Sequence, residues 1–240
     1  MSTYDPNAIG PAGWYHLCVF VLLLPWAAVR SKRRLAAVKA PPPRRKHYRS
    51  TIFVQLALFA FSWWVASSEW IELFPRVVPG WKDLSWGAVM LAIAIAAMLP
   101  RWRKNVEKRT RIVHLFMPRD GVERVLWIGV SACAGVAEEV SYRGVLYALV
   151  LRLVHQPVLA AAVCMLAFGV AHWVQGWKAA LLILLFAGAF HALVALTGSL
   201  YVAMAVHFVY DVTAGFAYGY FGEKLGYPIE GVEESTAPAA

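Results

Sequence analysis

Long apolar stretches separated by short polar or basic segments run through the chain. A helix needs about 20 apolar residues to cross about 30 Å of hydrocarbon. On that measure the chain holds about seven spans, near 13–30, 51–71, 83–100, 125–151, 157–176, 178–197 and 199–221. The pattern predicts an all-α fold, a polytopic transmembrane helical bundle in which each helix satisfies its own backbone. The first stretch is not expected to be a signal peptide, because no Lys or Arg precedes it and no small-residue cleavage site follows.

The polar segments set the expected orientation. Arg30–Arg49 carries Ser31-Lys32-Arg33-Arg34 and Pro41-Pro42-Pro43-Arg44-Arg45-Lys46, and Arg101–Arg124 is similarly basic. Both belong on the cytoplasmic side by the positive-inside rule. The nearly neutral Glu72–Asp83 belongs outside, which predicts an external N-terminus and a cytoplasmic C-terminus. Within 101–124, Val113, Leu115 and Phe116 alternate with charges, a candidate for an interfacial amphipathic helix. Three regions are expected: N-terminal spans with basic loops over 1–120, a catalytic-type helical core over 121–221, and a disordered tail over 222–240 that carries Glu230, Glu233 and Glu234.

Composition agrees with the pattern. Apolar residues make up 60% of the chain and charged residues 15%, more apolar surface than a soluble domain of this size could cover. The net charge of +9 does not point to nucleic acid, since the basic residues flank apolar runs and suit anionic lipid. Cys18, Cys133 and Cys164 lie within apolar runs without metal-type spacing and read as small buried hydrophobes.

Charge inside a membrane is costly, so ionisable residues within spans are functional candidates. The first 100 residues offer only His16 and Glu69, both near span ends where an interfacial position explains them. The fourth span instead holds Glu138 and Glu139 near its middle, roughly 20 Å from its start. Glu139 and Arg143 share a helix face as an i, i+4 pair. Glu138 is turned about 100° away and is left for other chemistry. The fifth span brings Phe168 and His172 on one face, with Gly169 and Ala171 allowing close helix approach. The seventh brings His207 and Asp211 at i, i+4, with Asp211 placed to fix the imidazole tautomer or to bind one group jointly with it. His191 has no companion at helical spacing and reads as structural.

Glu138-Glu139-x-x-x-Arg143, Phe168-x-x-x-His172 and His207-x-x-x-Asp211, in this order and on separate spans, resemble the three motifs of the CPBP family. These are the CAAX-processing and bacteriocin-processing intramembrane endopeptidases, also called type II CAAX proteases, and the resemblance covers about residues 120–220. It implies that Glu138 is a general base that activates water with help from His172. His207, with Asp211, would stabilise the oxyanion, while Glu139, Arg143 and Phe168 would be supporting residues, the first two positioning Glu138. Many relatives have Asn where this chain has Asp211. An Asn amide can donate to an oxyanion and an ionised Asp cannot, so Asp211 is either protonated or orients His207.

Two His and a Glu could also hold zinc with an open position. No His-Glu-x-x-His segment or nearby thiolate is present, so the glutamate mechanism is favoured and no cofactor is expected. The expected substrate is a membrane-associated protein or peptide tail, and the expected setting a prokaryotic plasma membrane. The alternatives are a non-catalytic adaptor or immunity protein of the same fold, and a proton-coupled transporter. The transporter is disfavoured because no repeated half is visible.

Overall fold

Apolar chain in lipid must close its backbone hydrogen bonds within helices or barrels. A computed structural model of the protein describes residues 8–37, 41–74 and 78–228 and contains only helical regular structure there. The first rod joins α1 (Pro11–Leu17), a π-helical segment (Cys18–Leu23) and α2 (Leu24–Ala37). The next two are α3 (Arg44–Ser68) and α4 (Trp81–Glu107). A short 3-10 helix (Arg111–Phe116) leads into a second composite rod, α5 (Gly121–Glu138), a π-helical segment (Glu139–Leu146) and α6 (Tyr147–Val154). Then come α7 (Pro157–Ala171), a 3-10 turn (Trp173–Gln175), α8 (Trp177–Thr197) and α9 (Leu200–Lys224).

Five helices are long and apolar enough to cross a membrane: Pro11–Leu35, α3, α4, α8 and α9. Large apolar side chains such as Phe53, Ile93, Val125 and Leu185 face outward, and exposed Trp70 and Trp81 sit where α3 ends and α4 begins. The chain is an integral membrane protein, with apolar flanks for lipid and aromatic rings at helix ends.

The other two expected spans take different forms. The fourth is the α5–π–α6 rod, which is long enough but carries Glu123, Arg124, Glu138, Glu139, Arg143 and Arg152. The fifth is α7, only 15 residues, or roughly 22 Å of helix. It stops at Ala171 rather than running to 176. His172 has left helical geometry at φ −96° and ψ 11°, and Gly176, at φ 98°, reverses the chain into α8. That left-handed backbone favours glycine.

The basic segments also differ from expectation. Lys32, Arg33 and Arg34 extend α2 and Arg44 opens α3, so much of 30–49 is helical; Val38–Ala40 lie outside the described residues. No amphipathic interfacial helix forms over 101–124. Instead α4 continues to Glu107, and the six-residue 3-10 helix buries Val113 and Leu115 in the protein, beside Met117 and Tyr227. Arg44 donates to Glu123 Oε2 at 2.9 Å and lies 3.1 Å from His114 Nδ1, all three buried. Burial, with Arg44 adding to it, pushes His114 down to about 4, so it stays neutral at neutral pH and can accept from the arginine. The expected tail begins late, because Gly222 is buried in α9 and Tyr227 donates to Thr110 O at 3.1 Å. Residues 229–240 lie outside the described residues.

His16 and Glu69 are buried, contrary to the interfacial position expected. Glu69 accepts from the backbone N–H groups of Gly10 and Gly13 at the start of α1 and from Arg152 of α6. His16 bonds Ser62, which bonds Ser141. Such partners are contributed by distant parts of the chain. Cys164 is buried as expected, whereas Cys18 is exposed on the outer face of the first rod.

Small residues set the helix spacing around the centre. A Cβ on Gly135 would lie 3.1 Å from Met204 O and Phe208 N, so α5 and α9 meet backbone to backbone. Gly169 likewise sits against Ala180 and Leu184 of α8, the close approach its position suggested. Gly135→Val is expected to separate α5 from α9 and to cost about 1–3 kcal/mol through overpacking, read as a lower melting temperature in detergent.

Candidate active site

The α5–π–α6 rod is buried on nearly every side where it passes the centre. A π segment adds a residue to the turn and is common at functional sites. Here it begins between the two acids, which reach different neighbours. Glu138 ends α5 and faces α3 and α7, while Glu139 opens the π segment and faces α9.

Glu138 Oε1 accepts from Gln55 Nε2 of α3 at 2.7 Å. Its Oε2 lies 4.0 Å from His172 Nε2 and 3.8 Å from His207 Nε2. His172 Nδ1 lies 2.8 Å from Phe168 O. A carbonyl only accepts, so Nδ1 carries the proton there and a neutral His172 presents a bare Nε2 toward Glu138. The ring also packs on Phe168, 4.4 Å between centres.

Glu139 is fully buried, and its Oε1 lies 2.8 Å from His207 Nδ1 and 3.3 Å from Arg143 Nη1. An ionised carboxylate accepts, so His207 Nδ1 donates. The Glu139–Arg143 pair forms as the spacing suggested, but it holds His207, whereas Glu138 is held by Gln55. The Arg143 guanidinium also lies 4.5 Å from the Phe168 ring centre and 5.3 Å from that of Phe190. Planar cations are favoured over aromatic faces, which gives Phe168 its place in the motif.

Asp211 does not fix the tautomer of His207, because Glu139 occupies Nδ1. Asp211 Oδ2 lies on the other side, 3.6 Å from Nε2, beyond hydrogen-bond distance. Its own backbone carbonyl accepts from the Trp127 indole at 2.9 Å, with the indole seated on Gly215. His191 stands apart, packed against Tyr147.

Glu138, His172, His207 and Asp211 thus converge from α5, the end of α7 and α9. Gln55 was not legible as a partner: it carries no charge, and its one signal is an amide within the apolar run 51–71. Nothing in the spacing pointed to Phe190. A cavity of about 280 Å³ opens beside Glu138 and His172, lined also by Phe20, Ala28, Gln55 and Tyr142. Among the described residues, no group of three His, Cys, Asp or Glu is arranged to hold a metal ion.

The helices and the paired acids and histidines define a membrane-embedded protein of the CAAX-protease class. Residues 121–213 match the family described as type II CAAX prenyl endopeptidase Rce1-like, a stretch that opens with α5 and includes all three motifs but not Gln55. The segment carrying the site belongs to the CPBP/CAAX protease family. No curated protein and no solved structure matches the chain.

Proposed function

We propose that the protein is an intramembrane endopeptidase that cleaves a peptide bond in a membrane-associated protein or peptide tail, using water activated by Glu138. The observation that carries this reading is the gap of 4.0 Å between Glu138 Oε2 and the bare His172 Nε2. Two hydrogen bonds of about 2.8 Å meeting at one water span about 4–4.6 Å. A water there donates one hydrogen to each acceptor and keeps a lone pair for attack.

The steps follow from that placement. The water oxygen bonds to the scissile carbonyl carbon while its proton passes to Glu138. His207 carries both ring protons: Nδ1 donates to Glu139 and Nε2 meets the oxyanion. Three carboxyl groups, Glu138, Glu139 and Asp211, surround His207 with Arg143 as their other cation, which favours the imidazolium. Glu138 then returns its proton to the leaving amine as the C–N bond breaks. A donor fixed in a poorly solvated site stabilises developing charge strongly.

In this mechanism Asp211 is a counter-charge to His207 Nε2 and not the oxyanion donor. Asp211→Asn is therefore expected to retain turnover within about tenfold, a change of about 1.4 kcal/mol. It removes one negative charge but adds an amide N–H beside the oxyanion. Steady-state cleavage of one anchored peptide by both forms checks this.

The protein would lie in a prokaryotic plasma membrane with its basic helix ends and C-terminus cytoplasmic, its partners being lipid and the peptide substrate. No cofactor is proposed. The reading is tested with purified protein in vesicles, anchored peptides and ¹⁸O-water. Cleavage that puts one ¹⁸O into each new carboxylate and persists with a chelator supports it. Metal-dependent cleavage would replace the glutamate mechanism, and intact peptides would contradict the reading.

A further inference from the structure

The cavity beside Glu138 and His172 is walled by two sources of chain. One is the family segment, through Ala137, Ser141 and Tyr142 and the neighbouring Ala171. The other is the first rod, through Phe20, Leu24, Ala27, Ala28 and Ser31, which lies outside that segment. The space exists because four of its lining positions, 27, 28, 137 and 171, are alanine.

The first rod is held in register with the catalytic end of α7. Lys32 Nζ lies 5.7 Å from the Trp173 ring centre, one residue past His172. Deeper in, fully buried Phe20 meets Tyr142 edge-on, 5.1 Å between ring centres. The π segment Cys18–Leu23 ends just before Pro25, and Leu24 N–H bonds back to Val19 O. A wider turn there suits a proline, which has no N–H and crowds the turn before it. It also turns Phe20 and Leu24 toward the cavity.

Size limits what can enter. One turn of helix, about 5.4 Å tall and about 10–12 Å across, would fill roughly 400–600 Å³. The cavity holds about 280 Å³, so the segment that reaches Glu138 is extended. An extended strand places alternate side chains on opposite sides, and the wall that one of them meets is apolar and alanine-lined.

We propose that the first rod is the specificity wall of the site: Leu24, Ala27 and Ala28 receive one apolar side chain of an extended substrate segment, next to the bond that Glu138 and His172 attack. This rests on the endopeptidase reading and adds to it the class of residue selected and the helix that selects it. Filling the wall should exclude large side chains while sparing small ones. Opening it should do the reverse. A methylene-scale misfit in an apolar pocket changes discrimination by roughly 10–200-fold.

The test uses anchored, quenched-fluorescent peptides identical except for Ala, Leu or Phe at one position, scanned residue by residue across the cleaved bond. Ala28→Leu is expected to lower the Phe-to-Ala ratio of kcat/KM at least about tenfold at one scanned position. Leu24→Ala is expected to raise it at that same position. Unchanged ratios in both variants, with cleavage retained, would overturn the proposal and leave the endopeptidase reading standing. Glu138→Gln tests that reading separately, since it should stop cleavage of every peptide. Should a wall variant fail to fold, a photoreactive residue in place of Ala28, in the Glu138→Gln background, reads the wall without turnover. Capture of the Phe peptide at position 28, above that at exposed Leu56, supports the proposal, and equal capture overturns it.

Discussion

Glu138→Gln should lower turnover by about 10²–10⁴-fold, the range that a positioned general base contributes. The substitution keeps the shape of the side chain and removes its ability to take a proton. Its amide oxygen can still accept from Gln55 Nε2, the 2.7 Å contact that anchors the residue, so melting temperature and elution volume should stay near wild type. Loss of activity with an intact fold then belongs to the chemistry. Glu138→Asp makes the complementary point. It keeps the charge but withdraws it by one methylene from a gap that one water spans, so only partial activity should return.

The second large effect is expected at His207, whose replacement by Ala should cost about 10²–10³-fold in turnover, the loss seen when one oxyanion donor is removed. Unlike Glu138→Gln it should also destabilise the protein, by about 1–3 kcal/mol, because a buried Glu139 oxygen loses its 2.8 Å partner. Arg143 remains as a counter-ion, so folding should survive. Glu139→Gln separates the two roles. It keeps an acceptor for His207 Nδ1 but removes the charge that supports the imidazolium, and should reduce turnover with little change in melting temperature.

Much of this site was legible before the structure, because the i, i+4 rule and the rarity of charge in a span act locally. Glu139 with Arg143, the face shared by Phe168 and His172, and the close approach at Gly169 all follow from helical geometry. What was not legible depends on which helix stands beside which. Spacing could not show that Glu139 would take His207 Nδ1, leaving Asp211 on the far nitrogen. The two acids sit where an α-helix gives way to a π segment, and hydropathy carries no sign of that change.

The same limit explains the helix ends. Apolar Trp173 and Val174 continue the pattern past Ala171, so the stop of α7 shows only in the backbone of His172 and Gly176. Gln55 lay outside a search led by charge, though a buried amide is just as dependent on a partner. His16 and Glu69 looked interfacial by position along the chain, yet both are enclosed by residues more than 40 positions away.

The most direct measurement of the central claim is the set of protein termini in membranes from cells making the wild type, compared with cells making Glu138→Gln at equal abundance. The proposed chemistry requires at least one membrane-associated protein to be cut in the first set and uncut in the second. Identical sets of termini, with both proteins folded and present, would contradict hydrolysis by Glu138 and favour an adaptor that uses the same helices without chemistry.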